Sequence, residues 1–131
     1  MEKRAINPWT WQEPLDFSQA IEVTGAHKTL YIAGQVSCDE DGVPLYPGDM
    51  LAQFNRALDN LERVLAQAGL GLGHLVRLNY YVTDMDAFHA AQPKLSARLQ
   101  AAGCKPASTL LGVKCLAQPE FLIEIEGIAA V

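Results

Sequence analysis

The chain has 131 residues, half of them apolar and 19% charged, so it can bury one core and is too hydrophobic for disorder. Its formal net charge of −5, with ten Lys and Arg in no run or stripe, argues against nucleic acid as the main partner, because phosphate binding calls on a basic face. The apolar runs fall far short of the roughly 20 residues that span a bilayer, and the start, MEKRAINPWTWQEP, has no apolar signal core, so the expectation is a soluble cytoplasmic protein with no membrane partner.

In chain order, Ser18–Val23 and Thr29–Val36 read as strands joined by TGAH as a hairpin turn. In the second, Leu30, Ile32 and Val36 share one face and Tyr31, Ala33 and Gln35 the other. CDEDGVPLYPGD is a turn-rich loop. The strongest periodicity follows: Leu51, Phe54, Leu58, Leu61, Leu65 and Ala68 recur at i+3/i+4 and predict a helix over Met50–Ala68. Asp49 suits its N-cap and Gly69 its C′ position. HLVRLNYYVTD reads as a strand, with Val76, Leu78, Tyr80 and Val82 on one face and Arg77, Asn79, Tyr81 and Thr83 on the other. A second helical stretch spans about Asp86–Ala102, its apolar face formed by Phe88, Ala91, Leu95, Leu99 and Ala102. Pro93 predicts a break there, with the main helix starting at that proline. Strands over about Ser108–Leu116 and Glu120–Ala129 close the chain, the last alternating Phe121, Ile123 and Ile125 with Leu122, Glu124 and Glu126.

The resulting order, ββ-α-β-α-ββ, predicts an α+β fold over residues 1–131 as a single domain. A mixed sheet of about six strands carries both helices on one face. The other face holds Tyr31, Gln35, Asn79, Tyr81, Glu124 and Glu126, too mixed for a second core and too aromatic for plain surface. Such a face predicts an oligomer with polar pockets between subunits.

The chemistry-bearing candidates are few. Cys38, Cys104 and Cys115 are odd in number and form no C-x-x-C, which suits reduced thiols, and His27, His74 and His89 lack metal-ligand spacing, so no metal is expected. GLGLGH at Gly69–His74 follows a helix and opens a strand, the reverse of a nucleotide-binding glycine loop, and reads as a helix cap. Trp9 and Trp11 suggest an end tucked onto the body. In PASTLLGV, Ser108 and Thr109 have no placed base, and local signals favour structural roles over a nucleophile. Glu124 and Glu126 share a strand face, which describes any half-exposed strand as well as an acid/base pair; in a cleft, one of them would carry a raised pKa.

Together, LYIAGQVSCDEDGVPLYPGDMLAQFNRALDNLERVLAQAGLGLGHLVRLNYYVTDMDAF and KPASTLLGVKCLAQPEFLIEIEGIA resemble the Rid (reactive intermediate deaminase) or YjgF family. The shared features are a Ser-Gly-Gln strand, a Gln…Asn-Leu helix, a V-x-x-x-x-(Y/F)-V-x-D strand, a Pro-Ala-Arg segment and a closing Glu-Ile-Glu-Ala-Ile-Ala. The resemblance implies a chorismate-mutase-like fold and a homotrimer with ligand clefts between subunits. It also implies hydrolysis of reactive enamines or imines to a 2-oxo acid and ammonia without a cofactor. By that resemblance Glu124 orients the attacking water, and Gly34 and Gln35 are retained. The substrate-binding positions depart from the family pattern: Ser108 stands for the arginine that grips the substrate carboxylate, Phe17 for a tyrosine, Ala33 for a serine, Gln92 for an asparagine and Leu110 for a cysteine. Thr109 completes the candidate set. The expectation is a divergent member that binds a small carbonyl-, enamine- or imine-like metabolite and retains a route to hydrolytic deamination. The alternatives are a non-enzymatic ligand-binding or protein-protecting trimer and, more weakly, an endoribonuclease.

Overall fold

The structure is a computed structural model describing residues Met1–Val131. Six strands and two helices follow in the order β1 (Glu2–Ile6), β2 (Ala20–Thr24), β3 (Thr29–Val36), α1 (Met50–Gln67), β4 (Leu75–Val82), α2 (Met85–Ala101), β5 (Ala107–Gly112) and β6 (Ile123–Ala130). The strands form a four-stranded sheet, β3-β6-β4-β5, and a two-stranded ribbon, β1-β2. Only the β4–β5 pair is parallel, with α2 as its crossover.

Both helices pack on one face of the large sheet, and capping and periodicity explain why they form. Asp49 accepts a hydrogen bond from the Ala52 amide and caps α1. Gly69, at φ +75°, ends it with paired bonds from the Gly69 amide to the Ala66 carbonyl and from Leu70 to Leu65. The α1 face buries Phe54, Leu58, Leu61 and Leu65, with Met50 in the core and Leu51 only half-buried. Gln53 is buried and fully used. It donates to the carbonyls of Tyr46 and Glu120 and accepts from the Leu122 amide, which fixes the entry into β6.

The expected break at Pro93 does not occur; α2 runs unbroken through it. Asp84 caps α2 by accepting from the Ala87 amide, and Phe88, Ala91, Leu95 and Leu99 are buried on one side. Pro93 is exposed, so the helix forgoes one hydrogen bond on its wet side while packing holds the rest.

Three strand expectations are corrected. The TGAH segment makes no hairpin between β2 and β3, because β2 pairs with the unforeseen β1, from Glu2↔Thr24 to Ile6↔Ala20. In β3 the register steps from Ile32↔Gly127 to Gln35↔Ile125, three residues against two. This β-bulge puts Gln35 opposite core-facing Ile125 and Val36 opposite Glu124, reversing the simple alternation. In β4 a register shift between Leu75 and Arg77 buries Leu75 and leaves Val76 half-buried. Beyond these, β5 ends at Gly112 and β6 starts at Ile123, so both are shorter than expected.

Phe54 is fully buried and lies parallel to Tyr80, ring centroids 5.9 Å apart. Phe54→Ala leaves a cavity at the centre of this core and is expected to lower unfolding stability by about 3–5 kcal/mol. Urea denaturation followed by far-UV circular dichroism measures the loss.

Candidate functional site

The loop between β1 and β2 is pinned by side-chain amides, with Gln12 buried and Asn7 and Gln19 half-buried. Gln12, with no exposed surface, donates to the Asn7 side-chain oxygen at 3.0 Å and accepts from Gln19 at 3.0 Å; the Gln19 amide also donates to Asn7 at 2.8 Å. Further on, Asp16 takes a left-handed backbone (φ 60°), a conformation Asp tolerates better than most residues. Its carboxylate is buried and accepts hydrogen bonds from two α2 side chains, Ser96 and Gln100 (2.8 Å). The loop is thereby strapped across α2 and the end of the sheet. The Ser18 amide and hydroxyl close the strap on the carbonyls of Pro106 and Lys105, at the start of β5.

Beneath the strap is a cavity of about 340 Å³, within the size range of small-ligand sites. Four of the sequence candidates line it: Phe17, Gln92, Ser108 and Leu110. The register explains the last two, since Ser108 stands opposite Leu78 and Leu110 opposite Tyr80 on the helix-facing side of the sheet. Trp11 meets Phe17 edge-on at 5.9 Å, and Phe54, Tyr80 and Phe88 form the aromatic floor. Trp11 remains 64% exposed and Trp9 54%. The end lies against the body through the β1–β2 pairing and buried Gln12, with Trp11 at the cavity, and the tryptophans themselves stay exposed. Burial, followed by the nearby charges of Cys104 and Asp16, pushes the Tyr80 phenol well above its ordinary range. Burial likewise pushes the Cys104 thiol up to about 12, with Lys3 opposing and Asp16 adding to the shift, so Cys104 is no nucleophile at neutral pH.

The remaining candidates lie elsewhere. Thr109 points to the open face of the sheet, where it accepts a hydrogen bond from the Arg77 guanidinium at 2.8 Å. Glu124 and Glu126 share that open face, opposite Tyr81 and Asn79 respectively. Glu126 is engaged, accepting from the Tyr81 hydroxyl and from Asn79 at 3.3 Å. The Glu124 carboxylate lies over exposed Gly34 instead; a Cβ on Gly34 would sit 2.4 Å from Glu124 Oε2. Ala33 is exposed beside it. Burial, and then the charge of Glu126, raises the Glu124 pKa above the usual carboxylate range. The sheet thus carries an apolar cavity on its helix side and a carboxylate of raised basicity on its open side. No group of three or more His, Cys, Asp or Glu is placed to hold a metal ion, and no helix is long and apolar enough to cross a membrane.

Sequence reasoning missed Asp16, Ser96 and Gln100. The segment from Asn7 to Gln19 has no periodicity, and its partners are about 80 residues away in the chain. Phe88, Leu95 and Leu99 were identifiable as a helix face, but not as a cavity wall.

Comparison with known proteins identifies the family and the fold. The family model for endoribonuclease L-PSP matches residues 12–131. The chain is 32% identical over 113 residues to the mouse protein named 2-iminobutanoate/2-iminopropanoate deaminase, covering 86% of this chain and 79% of that one. Protein DfrA of Myxococcus xanthus is 38% identical over 72 residues; there the match spans 55% of this chain and 54%, about half, of the relative. The crystal structure of YyfB from Yersinia pestis, described as a Rid-family protein of unknown function, superposes with a TM-score of 0.88 at 38% identity over the whole of both chains. The expected chorismate-mutase-like α+β fold is therefore the fold observed.

Proposed function

Because the chain belongs to the endoribonuclease L-PSP family, the group that includes the Rid proteins, we propose that it binds a small imine-, enamine- or carbonyl-like metabolite in clefts between the subunits of a homotrimer and hydrolyses an imine there. The observation that carries this reading is the stacking of Glu124 on Gly34. The absent Cβ makes room for a carboxylate of raised basicity, which engages no side chain of its own subunit. Assembly through the open sheet face would bring this carboxylate of one subunit to the strapped cavity of the next. That face exposes Tyr31 (78%) and Leu111 (47%), apolar surface of the kind oligomers cover.

In the proposed reaction, Glu124 takes a proton from water as the water oxygen bonds to the C=N carbon. That proton passes to nitrogen, giving a carbinolamine; its hydroxyl proton is then moved to nitrogen through Glu124 as the C–N bond breaks and the C=O bond forms, and a carbonyl compound and ammonia leave. No electron transfer is needed, so no redox cofactor is called for. Gln92 and Ser108 supply hydrogen bonds for orientation, and the aromatic wall excludes water from the far side of the ligand. Because the cavity lining includes no Lys or Arg, the substrate carries no carboxylate of its own to anchor.

A second reading, ligand binding without turnover, is favoured by one observation: within a single chain the cavity and Glu124 lie on opposite faces of the sheet. The two readings separate experimentally. Light scattering at micromolar concentration is expected to give three times the 14.3 kDa chain mass. An imine generated in place by an amine oxidase, with semicarbazide competing, is expected to yield its carbonyl product faster in the presence of the protein. A monomer mass removes the shared cleft. A trimer that binds ligand without acceleration selects the second reading.

A further inference from the structure

The strapped cavity has an unusual balance of groups. Five aromatic rings line it: Trp11, Phe17, Phe54, Tyr80 and Phe88. Its one carboxylate, on Asp16, is only 6% exposed, and no Lys or Arg is among the lining residues. Ser96 and Gln100 are neutral donors, so they satisfy the Asp16 oxygens without cancelling the charge. The sole remaining ionisable ring, the His89 imidazole, stands exposed at the mouth. Aromatic faces carry negative charge density, and a desolvated carboxylate behind them adds to the same field. An anion entering this space meets aromatic rings and a like charge, with no Lys or Arg to offset them. A cation meets ring faces and an uncompensated negative charge.

We propose that this cavity selects an organic cation: a protonated amine or iminium that carries an apolar group and no carboxylate. The inference rests on reading the cavity as the ligand site, and it adds the charge of the ligand. It also gives Asp16 a role beyond tethering the strap, since a neutral Asn or Gln in its place could hold the loop without setting a sign of charge.

Three probes of matched size test it: phenethylammonium, 2-phenylethanol and phenylacetate, each titrated calorimetrically into the full-length protein at mildly alkaline pH. The cation is expected to bind about tenfold or more tightly than the alcohol or the anion, the preference that a cation held against aromatic faces commands. Asp16→Asn, which keeps a residue tolerant of the left-handed backbone, is expected to abolish the preference for cation over alcohol. Trp11→Leu changes an exposed ring, leaves the strap bonds in place, and is expected to weaken the cation several-fold more than the alcohol. Equal affinity for cation and alcohol, or tighter binding of phenylacetate, overturns the inference while leaving the cavity as a ligand site. Failure of all three probes to bind overturns both the inference and the reading on which it rests.

Discussion

Glu124→Gln is expected to reduce imine hydrolysis by roughly 10²–10⁴-fold, the usual contribution of a positioned general base, while the protein remains folded. The amide keeps the shape of the carboxylate over Gly34 but cannot take a proton from water. Stability separates this loss from damage to the fold. A carboxyl whose folded pKa is raised contributes its full stability below the unfolded pKa and loses that contribution as pH rises through the folded pKa. At neutral pH the ionised Glu124 is thus a liability, and the Gln variant should melt at the wild-type temperature or slightly above it. The same shift fixes the pH profile. Activity requires the ionised form, so it is expected to fall as pH drops through a midpoint above the ordinary carboxylate range. Glu126→Gln removes part of the cause and should move that midpoint down. Initial rates across pH, with thermal melts of the same samples, decide the matter; an unaffected rate in Glu124→Gln removes Glu124 from the mechanism.

The second large effect is expected at Ser108. Wild-type protein should do little to accelerate 2-oxo acid formation from a 2-imino acid made in place by an amino-acid oxidase, because nothing in the cavity pairs with the substrate carboxylate. Ser108→Arg puts a guanidinium on the helix-facing side of β5, where it offsets the Asp16 charge and offers a two-pronged donor to a carboxylate. A desolvated charged pair of this kind commands on the order of 2–5 kcal/mol. After pairing with Asp16 takes its share, carboxylate binding should still improve about tenfold or more. Full turnover should not follow, because Phe17 and Ala33 supply no hydroxyl to the cleft. Semicarbazide competition and phenylacetate titration measure the two effects. Strong wild-type turnover of 2-imino acids would show that another cation, such as Arg77 or Lys114 from a neighbouring copy, holds the carboxylate.

Much of the fold was legible in the sequence because the signals were local. The spacing of Phe54, Leu58, Leu61 and Leu65, with Asp49 before them and Gly69 after, specifies α1 through periodicity and capping alone. The alternation of Ile123 and Ile125 with Glu124 and Glu126 specifies β6 and puts both carboxylates on the face away from the helices. Pro93 misled because a local penalty was weighed without the burial of Phe88, Leu95 and Leu99, which outweighs one lost hydrogen bond on an exposed turn. The β2–β3 hairpin misled because strand pairing is a choice among distant partners, and neither strand carries the name of its neighbour.

The candidate site divides along the same line. Residue types could be read along the chain: the resemblance put Ser108 in the place of an arginine and Phe17 in the place of a tyrosine, and implied that Gly34 and Glu124 are kept. Their positions in space depend on the fold. Ser108 and Thr109 are adjacent in the chain, yet one lines the cavity and the other pairs with Arg77, because successive side chains of a strand point to opposite faces. Gly34 matters because β3 and β6 pair across a bulge that seats Glu124 above it. Asp16 belongs to the cavity because Ser96 and Gln100, 80 and 84 residues further along the chain, hold it there. Periodicity and capping act over a few residues and can be read along the chain. Register, loop docking and the sign of charge in a cavity arise from groups that only folding brings together.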